Sequence, residues 1–346
     1  MFLSVHARTS GVVAADIERA LYDDRTLVRV LCMRRTLFAV PRELVPVVYA
    51  ACTLKIAARE RRRLEGMIAD SGISTRPAAW LTRASKAALE ALAARGEAST
   101  SELAATVPVL AKRLRVAVGT RFEATQSAAS RVLLQLAMEG HVVRGRPRGT
   151  WIGGQYRWVP TAAWLSAEIV RIEPAEAQAE LLRRWLAAFG PGTETDIRWW
   201  TGWTAREARA ALAAVAHVEV DLGDSTGYVL ADDLERPPPP EPSAALLPTL
   251  DPTTMGWKER DWYLGAHAAV LFDRNGNAGP TVWWDGRVVG GWSQRRDGEI
   301  VFQLLEDVGA DAVRAVEAQA ERLAAWLGEV RFSPGFLPPF QRALAQ

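Results

Sequence analysis

One pattern of helices and a hairpin occurs twice along this chain and limits what it can fold into. Residues 84–159 predict three helices followed by two short strands around a basic loop. Residues 174–230 repeat that order in a weaker form. Because three helices followed by a two-stranded hairpin is the layout of a winged helix, the sequence predicts tandem domains of this kind.

The first copy carries the stronger signals. Ser85 is predicted to cap a helix that runs to Arg95, and Ser99 and Glu102 have the spacing of a capping box. Residues 123–139 predict the recognition helix, with one apolar face turned to the core. The polar residues on its opposite side are predicted to contact DNA: Thr125, Gln126, Ser127, Ser130 and Arg131.

The hairpin of the first copy is basic. Its turn region holds Arg144, Arg146 and Arg148 among glycines and a proline. Arginines on a wing contact phosphates or enter the minor groove, so these three are predicted to bind DNA. The alternative is an exposed hairpin tip without a partner. A basic stretch before the recognition helix adds three further candidates, Lys112, Arg113 and Arg121.

The charge of the chain is divided between its halves. Residues 1–165 hold 25 Lys and Arg against 13 Asp and Glu, a net charge of +12. Residues 166–346 hold 17 against 27, a net charge of −10. A basic half with a helix-turn-helix pattern is typical of a phosphate-binding surface. The second copy has an acidic hairpin, so we expect it to be structural.

The beginning of the chain looks like the second half of another winged helix. Residues 12–23 predict a helix, and residues 27–41 predict two strands joined near Met33–Arg35. The helices that should precede this segment are missing, so part of its apolar surface is expected to lack cover. We therefore expect Met1 to be an internal methionine, with the natural start a few tens of residues earlier. The apolar residues concerned are Val13, Ile17, Ala20 and Leu21.

Residues 43–70 predict one long helix with basic residues along its middle, either a solvated face or a ridge that follows phosphates.

The predicted fold class is α+β: tandem winged-helix domains, then a small β-rich C-terminal domain with a terminal helix. The predicted segments are 1–72, an incomplete first winged helix plus the long helix; 80–165, the second winged helix; 170–235, the third; 236–245, a proline-rich linker; and 246–346, the β-rich domain and its helix.

Several kinds of chemistry have no signal in the sequence. It contains no P-loop, no HExxH or CxxC motif and no GxSxG elbow, so we expect no metal and no cofactor. Cys32 and Cys52 are predicted to be buried free thiols, which suits the cytoplasm. No apolar stretch is long enough to span a bilayer, so no membrane partner is expected.

Three segments carry a resemblance to a known family: MRRTLFAVP, LLPTLDPTTMGWKERDWYL and FDRNGNAGPTVWWDGRVVGGW. With these, the chain resembles the crosslink-repair DNA glycosylases of the YcaQ/AlkZ-like family over essentially its whole length. The resemblance implies three winged helices in tandem around a concave basic channel. It also implies cleavage of the N-glycosidic bond of alkylated or crosslinked bases without a metal or cofactor. The family's helix and hairpin map onto residues 12–40, which places Arg34 and Arg35 where the hairpin approaches DNA.

The catalytic element of that family is a Gln-x-Gln or Gln-x-Asp motif upstream of the block that aligns with Phe2–Arg8. The first glutamine of this chain is Gln126, so no catalytic residue is carried over. We therefore expect a monomeric, nucleoid-associated protein of the cytoplasm that binds double-stranded, lesion-bearing DNA and lacks the catalytic motif. The alternatives are a winged-helix transcription regulator, a non-catalytic DNA-binding protein and a winged-helix scaffold that binds protein. Regulators usually carry one such domain per protomer and dimerise, whereas two to three copies here favour a monomer.

Overall fold

The computed structural model describes residues 1–235, 237–332 and 337–346 and has a mixed α/β fold with small antiparallel sheets. The helices are α1 Phe2–His6, α2 Ala14–Glu18, α3 Val45–Val48, α4 Leu54–Asp70, α5 Pro77–Arg95, α6 Thr100–Thr106, α7 Ala128–Met138, α8 Thr161–Leu165, α9 Pro174–Phe189, α10 Glu194–Thr201, α11 Ala205–Ala214, α12 Asp261–Leu264, α13 Ala268–Leu271, α14 Gly309–Leu327 and α15 Pro339–Leu344. The strands are β1 Leu27–Cys32, β2 Thr36–Pro41, β3 Arg113–Val116, β4 Ala124–Ser127, β5 Val142–Pro147, β6 Tyr156–Pro160, β7 His217–Asp221, β8 Thr226–Leu230, β9 Ala244–Leu247, β10 Thr281–Trp284, β11 Arg287–Gln294 and β12 Ile300–Leu304.

The chain forms two compact units of opposite charge. We call Glu18–Arg184 with Ala210–Val215 the basic unit, because it holds 27 Lys and Arg against 16 Asp and Glu, a net charge of +11. The remainder is the acidic unit, with 15 against 24 and a net charge of −9: Met1–Ile17, Trp185–Arg209 and Ala216–Gln346. These units group the chain differently from the five predicted segments, whose boundaries stay predictions.

Helices α4 to α7 of the basic unit share one apolar core. The recognition-helix candidate α7 packs against α4, α5 and α6, and its Val132, Leu133 and Leu136 are buried as predicted. Trp158 of β6 joins this core, and its indole Nε1 donates a hydrogen bond to Thr100 Oγ1 over 3.0 Å. The core therefore joins the helices to the β5–β6 hairpin.

The limits of α5 and α6 test two of the predicted caps. The capping box of Ser99 and Glu102 is confirmed, with both reciprocal hydrogen bonds in place. The predicted start at Ser85 is wrong, because α5 begins at Pro77 and Ser85 is buried inside it. Proline fits the first helical position since its missing N–H has no partner there. Between α5 and α6, Ala98 exchanges backbone hydrogen bonds of 3.1 and 2.7 Å with Trp158, which adds a third short strand beside the hairpin.

The beginning of the predicted recognition helix is also wrong. Residues 124–127 form strand β4, which pairs with β3 from Arg113↔Ser127 to Val116↔Ala124. The backbone groups of this segment thus bond to a neighbouring strand instead of a helical turn. Helix α7 starts only at Ala128, after Ser127, whose side chain accepts a hydrogen bond from the backbone N–H of Ser130.

The first hairpin forms as predicted, but two of the apolar residues that were expected to lack cover are buried. Strands β1 and β2 pair around the turn Met33–Arg35, as predicted. Ile17 and Leu21 are only 4% and 2% exposed, so the expectation that they lack cover is wrong. Leu21 lies in a π-helical turn that packs against β1, and this packing provides its cover. Val13 is exposed.

The acidic unit contains a four-stranded antiparallel sheet in the order β12-β11-β10-β9, with α14 packed on β9 and β12. Helix α14 buries one apolar face that includes Val316, Leu323 and Leu327. Before this sheet, Thr193 and Asp196 form the capping box of α10. Gly192 and Tyr228 form a bridge equivalent to that of Ala98 and Trp158.

The predicted linker at 236–245 stays a prediction, and its first residue lies outside the described residues. Residues 237–243 form neither helix nor strand, and β9 begins at Ala244, which pairs with Trp284 of β10. Among the described residues, no helix combines the length and the apolar character needed to cross a bilayer.

An ion pair between an exposed arginine and a buried aspartate joins the N-terminal segment of the acidic unit to its sheet region. Asp251 is fully buried and accepts hydrogen bonds from the Arg8 guanidinium over 2.5 and 3.0 Å. Arg8 also donates to Thr253 Oγ1 over 2.6 Å, and the Thr253 backbone N–H donates to Asp251 over 2.9 Å. Removing one partner of such a pair leaves the other charge without compensation.

We expect Asp251→Asn to destabilise the acidic unit by about 3 kcal/mol, at the low end for a buried pair because Arg8 is 40% exposed. Thermal denaturation followed by circular dichroism measures this. The matched control is Glu299→Gln, which breaks an ion pair of 2.6 Å with Arg295 in which both side chains are exposed. That change should stay within about 0.5 kcal/mol. Equal midpoints for the two variants would contradict the assignment of Asp251.

Candidate nucleic-acid interface

All thirteen residues predicted to bind DNA lie in the basic unit. Their elements are the β1–β2 turn, the β3–β4 hairpin, the first turn of α7 and the β5–β6 hairpin. In that order the residues are Arg34 and Arg35; Lys112, Arg113, Arg121, Thr125, Gln126 and Ser127; Ser130 and Arg131; Arg144, Arg146 and Arg148.

Part of the predicted set meets around one carboxylate. Glu60 of α4 lies 3.2 Å from Arg35 and 3.9 Å from Arg63. Arg131 of α7 lies near the same group: burial lowers the pKa of its guanidinium, Arg35 and Arg63 lower it further, and Glu60 opposes them. The side chain of Gln126 accepts a hydrogen bond of 2.5 Å from Arg131 Nε. We call this group the Glu60 cluster, and it consists of Glu60, Arg35, Arg59, Arg63, Arg131 and Gln126.

The start of α7 presents a small polar surface beside this cluster. Ser127 is half-buried because its side chain caps the helix, so it is less available to a ligand than predicted. Ser130 is exposed at the third helical position, and Arg131 is half-buried. Thr125 is exposed on β4, where its hydroxyl accepts a hydrogen bond of 3.0 Å from Arg113.

The tip of the β3–β4 hairpin combines a cation with an exposed ring. The guanidinium of Arg121 lies over Phe122, 4.7 Å from the ring centroid, and Phe122 is 66% exposed. Lys112, directly before β3, is exposed as well. Within the described residues, no hydrogen bond or ion pair joins the side chains of Lys112, Arg121 or Arg148 to another predicted site residue.

The three arginines of the β5–β6 hairpin have different surroundings. Arg146 forms an ion pair of 2.8 Å with Asp23, and Arg148 lies 3.7 Å from Glu102. Arg144 and Arg146 are both on strand β5, so the prediction that they lie in the turn of the hairpin is wrong, and Arg144 is half-buried. The physical reason is that β5 pairs with β6 from Val142 as far as Pro147, with Arg144 opposite Trp158, and this pairing holds both arginines on the body of the hairpin.

Arg144 belongs to a row of alternating cations and rings that the sequence analysis missed. Its guanidinium lies 4.3 Å from the Tyr156 centroid and 5.7 Å from that of Trp158. Arg29 of β1 lies 5.9 Å from Tyr156 and 5.4 Å from Tyr22. Arg146 completes the row, 4.9 Å from Tyr22. We call it the arginine–aromatic row: Arg146, Tyr22, Arg29, Tyr156, Arg144 and Trp158.

A sequence signal for this row exists, although it is weak. Arg29 interrupts the apolar residues of β1, and Tyr156 and Trp158 are two positions apart on β6, so their side chains share one face of that strand. This pattern is compatible with an arginine packed against aromatic rings at the edge of the core. The sequence does not show that the two hairpins contact each other, because β1 lies beside β5 only in the folded unit.

The two cysteines and the metal-ligating side chains complete the description of this surface. No three His, Cys, Asp or Glu side chains within the described ranges are grouped as metal ligands. Cys32 and Cys52 are buried and form no disulfide, as predicted, and burial raises the pKa of the Cys32 thiol.

The Glu60 cluster generates a prediction about polyanion binding. Glu60→Gln removes the carboxylate that balances several arginines, so the variant should elute from phosphocellulose at higher salt than the unmodified protein. The control is Glu90→Gln on α5, which makes the same change in net charge but whose carboxylate lies 3.8 Å from an exposed Lys86. Equal shifts for the two variants would mean that only net charge matters and that the cluster is not part of the anion-binding surface.

Comparisons with known proteins agree with one another. The family model described as "DNA glycosylase AlkZ-like" matches residues 1–326. The interstrand DNA cross-link repair glycosylase of Streptomyces sahachiroi is 29% identical over 212 residues, which cover 58% of this chain and 56% of that protein. The match thus spans little more than half of the relative's length. The solved structure of the Streptomyces sahachiroi DNA glycosylase AlkZ has a similar fold, with a TM-score of 0.68 at 22% identity over 95% of this chain and 86% of that chain.

Proposed function

Because this chain belongs to the AlkZ-like DNA glycosylase family, we propose that it binds duplex DNA through its basic unit. The observation that carries the proposal is the net charge of +11 on that unit, while the other unit is acidic. Neutralisation of phosphates by Lys and Arg supplies most of the non-specific affinity for DNA, and it requires a surface on which positive charge predominates. In the described part of the chain, the candidate DNA-binding residues lie on three hairpins and one helix, which supports the proposal.

We assign a winged helix to residues 80–165. Helices α5, α6 and α7 are followed by the β5–β6 hairpin, and Ala98 adds the short strand that winged helices place between the first two helices. The order recurs in α9, α10, α11 and β7–β8, where Gly192 provides the equivalent bridge, so we assign a third copy to residues 170–235. The β1–β2 hairpin and the helices around it make up the incomplete first copy in residues 1–72.

In this assignment α7 is the recognition helix and enters the major groove with its first turn. Ser130 is exposed there and Arg131 lies beside it, held by Gln126. The β3–β4 hairpin carries Arg113 and Arg121 directly before that turn, so its cations face the backbone on one side of the groove. The β5–β6 hairpin acts as the wing, with Arg148 toward phosphate.

The substrate class follows from the family and from the relative, which is named for repair of interstrand cross-links. We propose a duplex that carries an alkylated or crosslinked base. Hydrolysis of an N-glycosidic bond needs a polar group to position water at the sugar, and in the resembling family a glutamine motif near the N-terminal hairpin has that role. Residues 1–125 contain no glutamine. We therefore propose that residues 1–346 bind the damaged duplex as a monomer and release no base.

Ser130→Glu tests the orientation of α7. A glutamate at the third position of a helix is compatible with the Ser127 cap and favourable to the helix dipole, so stability should hold. Against phosphate, the added charge should weaken duplex affinity by about tenfold or more. Fluorescence anisotropy with a labelled duplex measures this. The control is Ala310→Glu in the exposed first turn of α14, which adds the same charge in the acidic unit. Unchanged affinity for Ser130→Glu would remove α7 from the interface.

A lesion-bearing duplex tests the proposed substrate and the missing reaction together. Competition with unmodified duplex should show tighter binding to N7-alkylated duplex. Alkali treatment after incubation should yield no strand breaks above the protein-free control, because no base has been released. Equal affinity for the two duplexes would favour a transcription regulator instead. Strand breaks that depend on the protein would show that another side chain positions the water.

A further inference from the structure

Two cations of the arginine–aromatic row have no carboxylate partner among the described residues. Arg146 is neutralised by Asp23, but Arg29 and Arg144 form no ion pair in that part of the chain. Both are half-buried. Burial lowers the pKa of both guanidiniums, and the charge of Arg29 lowers that of Arg144 further. Two like charges are thus held near each other without an anion.

Their hydrogen-bonding capacity is also largely unused. A guanidinium carries five N–H donors. Arg29 uses one, in a bond of 2.8 Å from Nη2 to the carbonyl oxygen of Gly145, while its Nε is buried without a partner among the described residues. Within the same range, the Arg144 guanidinium makes no hydrogen bond and rests on the Tyr156 and Trp158 rings.

The rings orient these two cations but do not replace an anion. A cation over an aromatic ring gains a modest stabilisation. Withdrawing a charge from water costs more than such a contact returns, so the contacts with rings leave part of that cost uncompensated. Neither residue is sealed in the core, because both are only half-buried.

We propose that Arg29 and Arg144 together bind one phosphate group of the DNA backbone. A phosphodiester supplies a negative charge and acceptor oxygens for two guanidinium forks, and it removes the repulsion between them. The Tyr156 ring, against which both guanidiniums lie, fixes their spacing before DNA arrives. This inference rests on the proposed function and adds a specific contact to it.

The test is the salt dependence of duplex binding by Arg29→Gln, Arg144→Gln and the double variant. Each phosphate contact adds about 0.9 to the slope of log K against log salt. Because the two arginines share one phosphate, the double variant should lower the slope by about 0.9 in total, and neither single variant should lower it further than that. The affinity of the double variant should fall on the order of tenfold or more. An unchanged slope in the double variant, or a loss of about 1.8 as from two separate phosphates, would overturn the proposal.

The matched control is Arg184→Gln, which removes an exposed arginine that Glu180 already neutralises at 2.7 Å. It makes the same change in net charge, and its slope should not change. If the glutamine variants are unfolded by circular dichroism, the unmodified protein is treated with phenylglyoxal with and without duplex and analysed by mass spectrometry. Duplex should protect Arg29 and Arg144 but not Arg184, and their equal modification in both samples would overturn the proposal.

Inorganic phosphate separates this inference from the proposed function. It should raise the melting midpoint of the unmodified protein relative to chloride at equal ionic strength, and it should not do so for the double variant. If the protein does not bind duplex DNA but shows this difference, the arginine pair is an anion site, and the proposed function and the DNA source of the phosphate both fail. If the protein binds duplex DNA and the double variant has the same salt slope as the unmodified protein, the proposed phosphate site is refuted and the proposed function stands.

Discussion

The burial of one face of α7 is the constraint on which the candidate interface depends. Val132, Leu133 and Leu136 are fixed against α4, α5 and α6, so the helix cannot rotate without exposing them. Gln135 adds a directional restraint, because its side-chain amide donates to the carbonyl oxygen of Ala57 over 2.9 Å. Ser130 must therefore lie on the side away from the core, and the basic residues around it take their places from the same packing.

The placement of carboxylates decides which arginines are available to an anion. Asp23 engages Arg146 in a pair whose side chains are both exposed, whereas Glu60, which engages Arg35, is buried. Exposed ion pairs contribute little to stability, so a phosphate can replace Asp23 at small cost. Arg29 and Arg144 differ, because rings rather than carboxylates hold them. The basic unit thus combines an exchangeable cation, Arg146, with two that are oriented in advance.

Binding and base release place different demands on a glycosylase scaffold. Affinity for DNA is spread over many cations, and the loss of any one changes it only partly. Base release depends on one positioned polar group, so its loss removes the reaction and leaves the fold intact. The proposal for this member of the AlkZ-like DNA glycosylase family concerns residues 1–346 and separates the two demands in that way.

The sequence by itself determined the local features: the capping box of Ser99 and Glu102, the Met33–Arg35 turn and the apolar face of α7. Each depends on residues a few positions apart, so periodicity and side-chain chemistry are enough to find it. The tertiary structure alone decided that residues 124–127 pair with β3, that Arg8 meets Asp251, and that Arg29 and Arg144 lie against one tyrosine. Those contacts join segments distant in sequence, and their free energy exists only once the apolar core has brought the segments together.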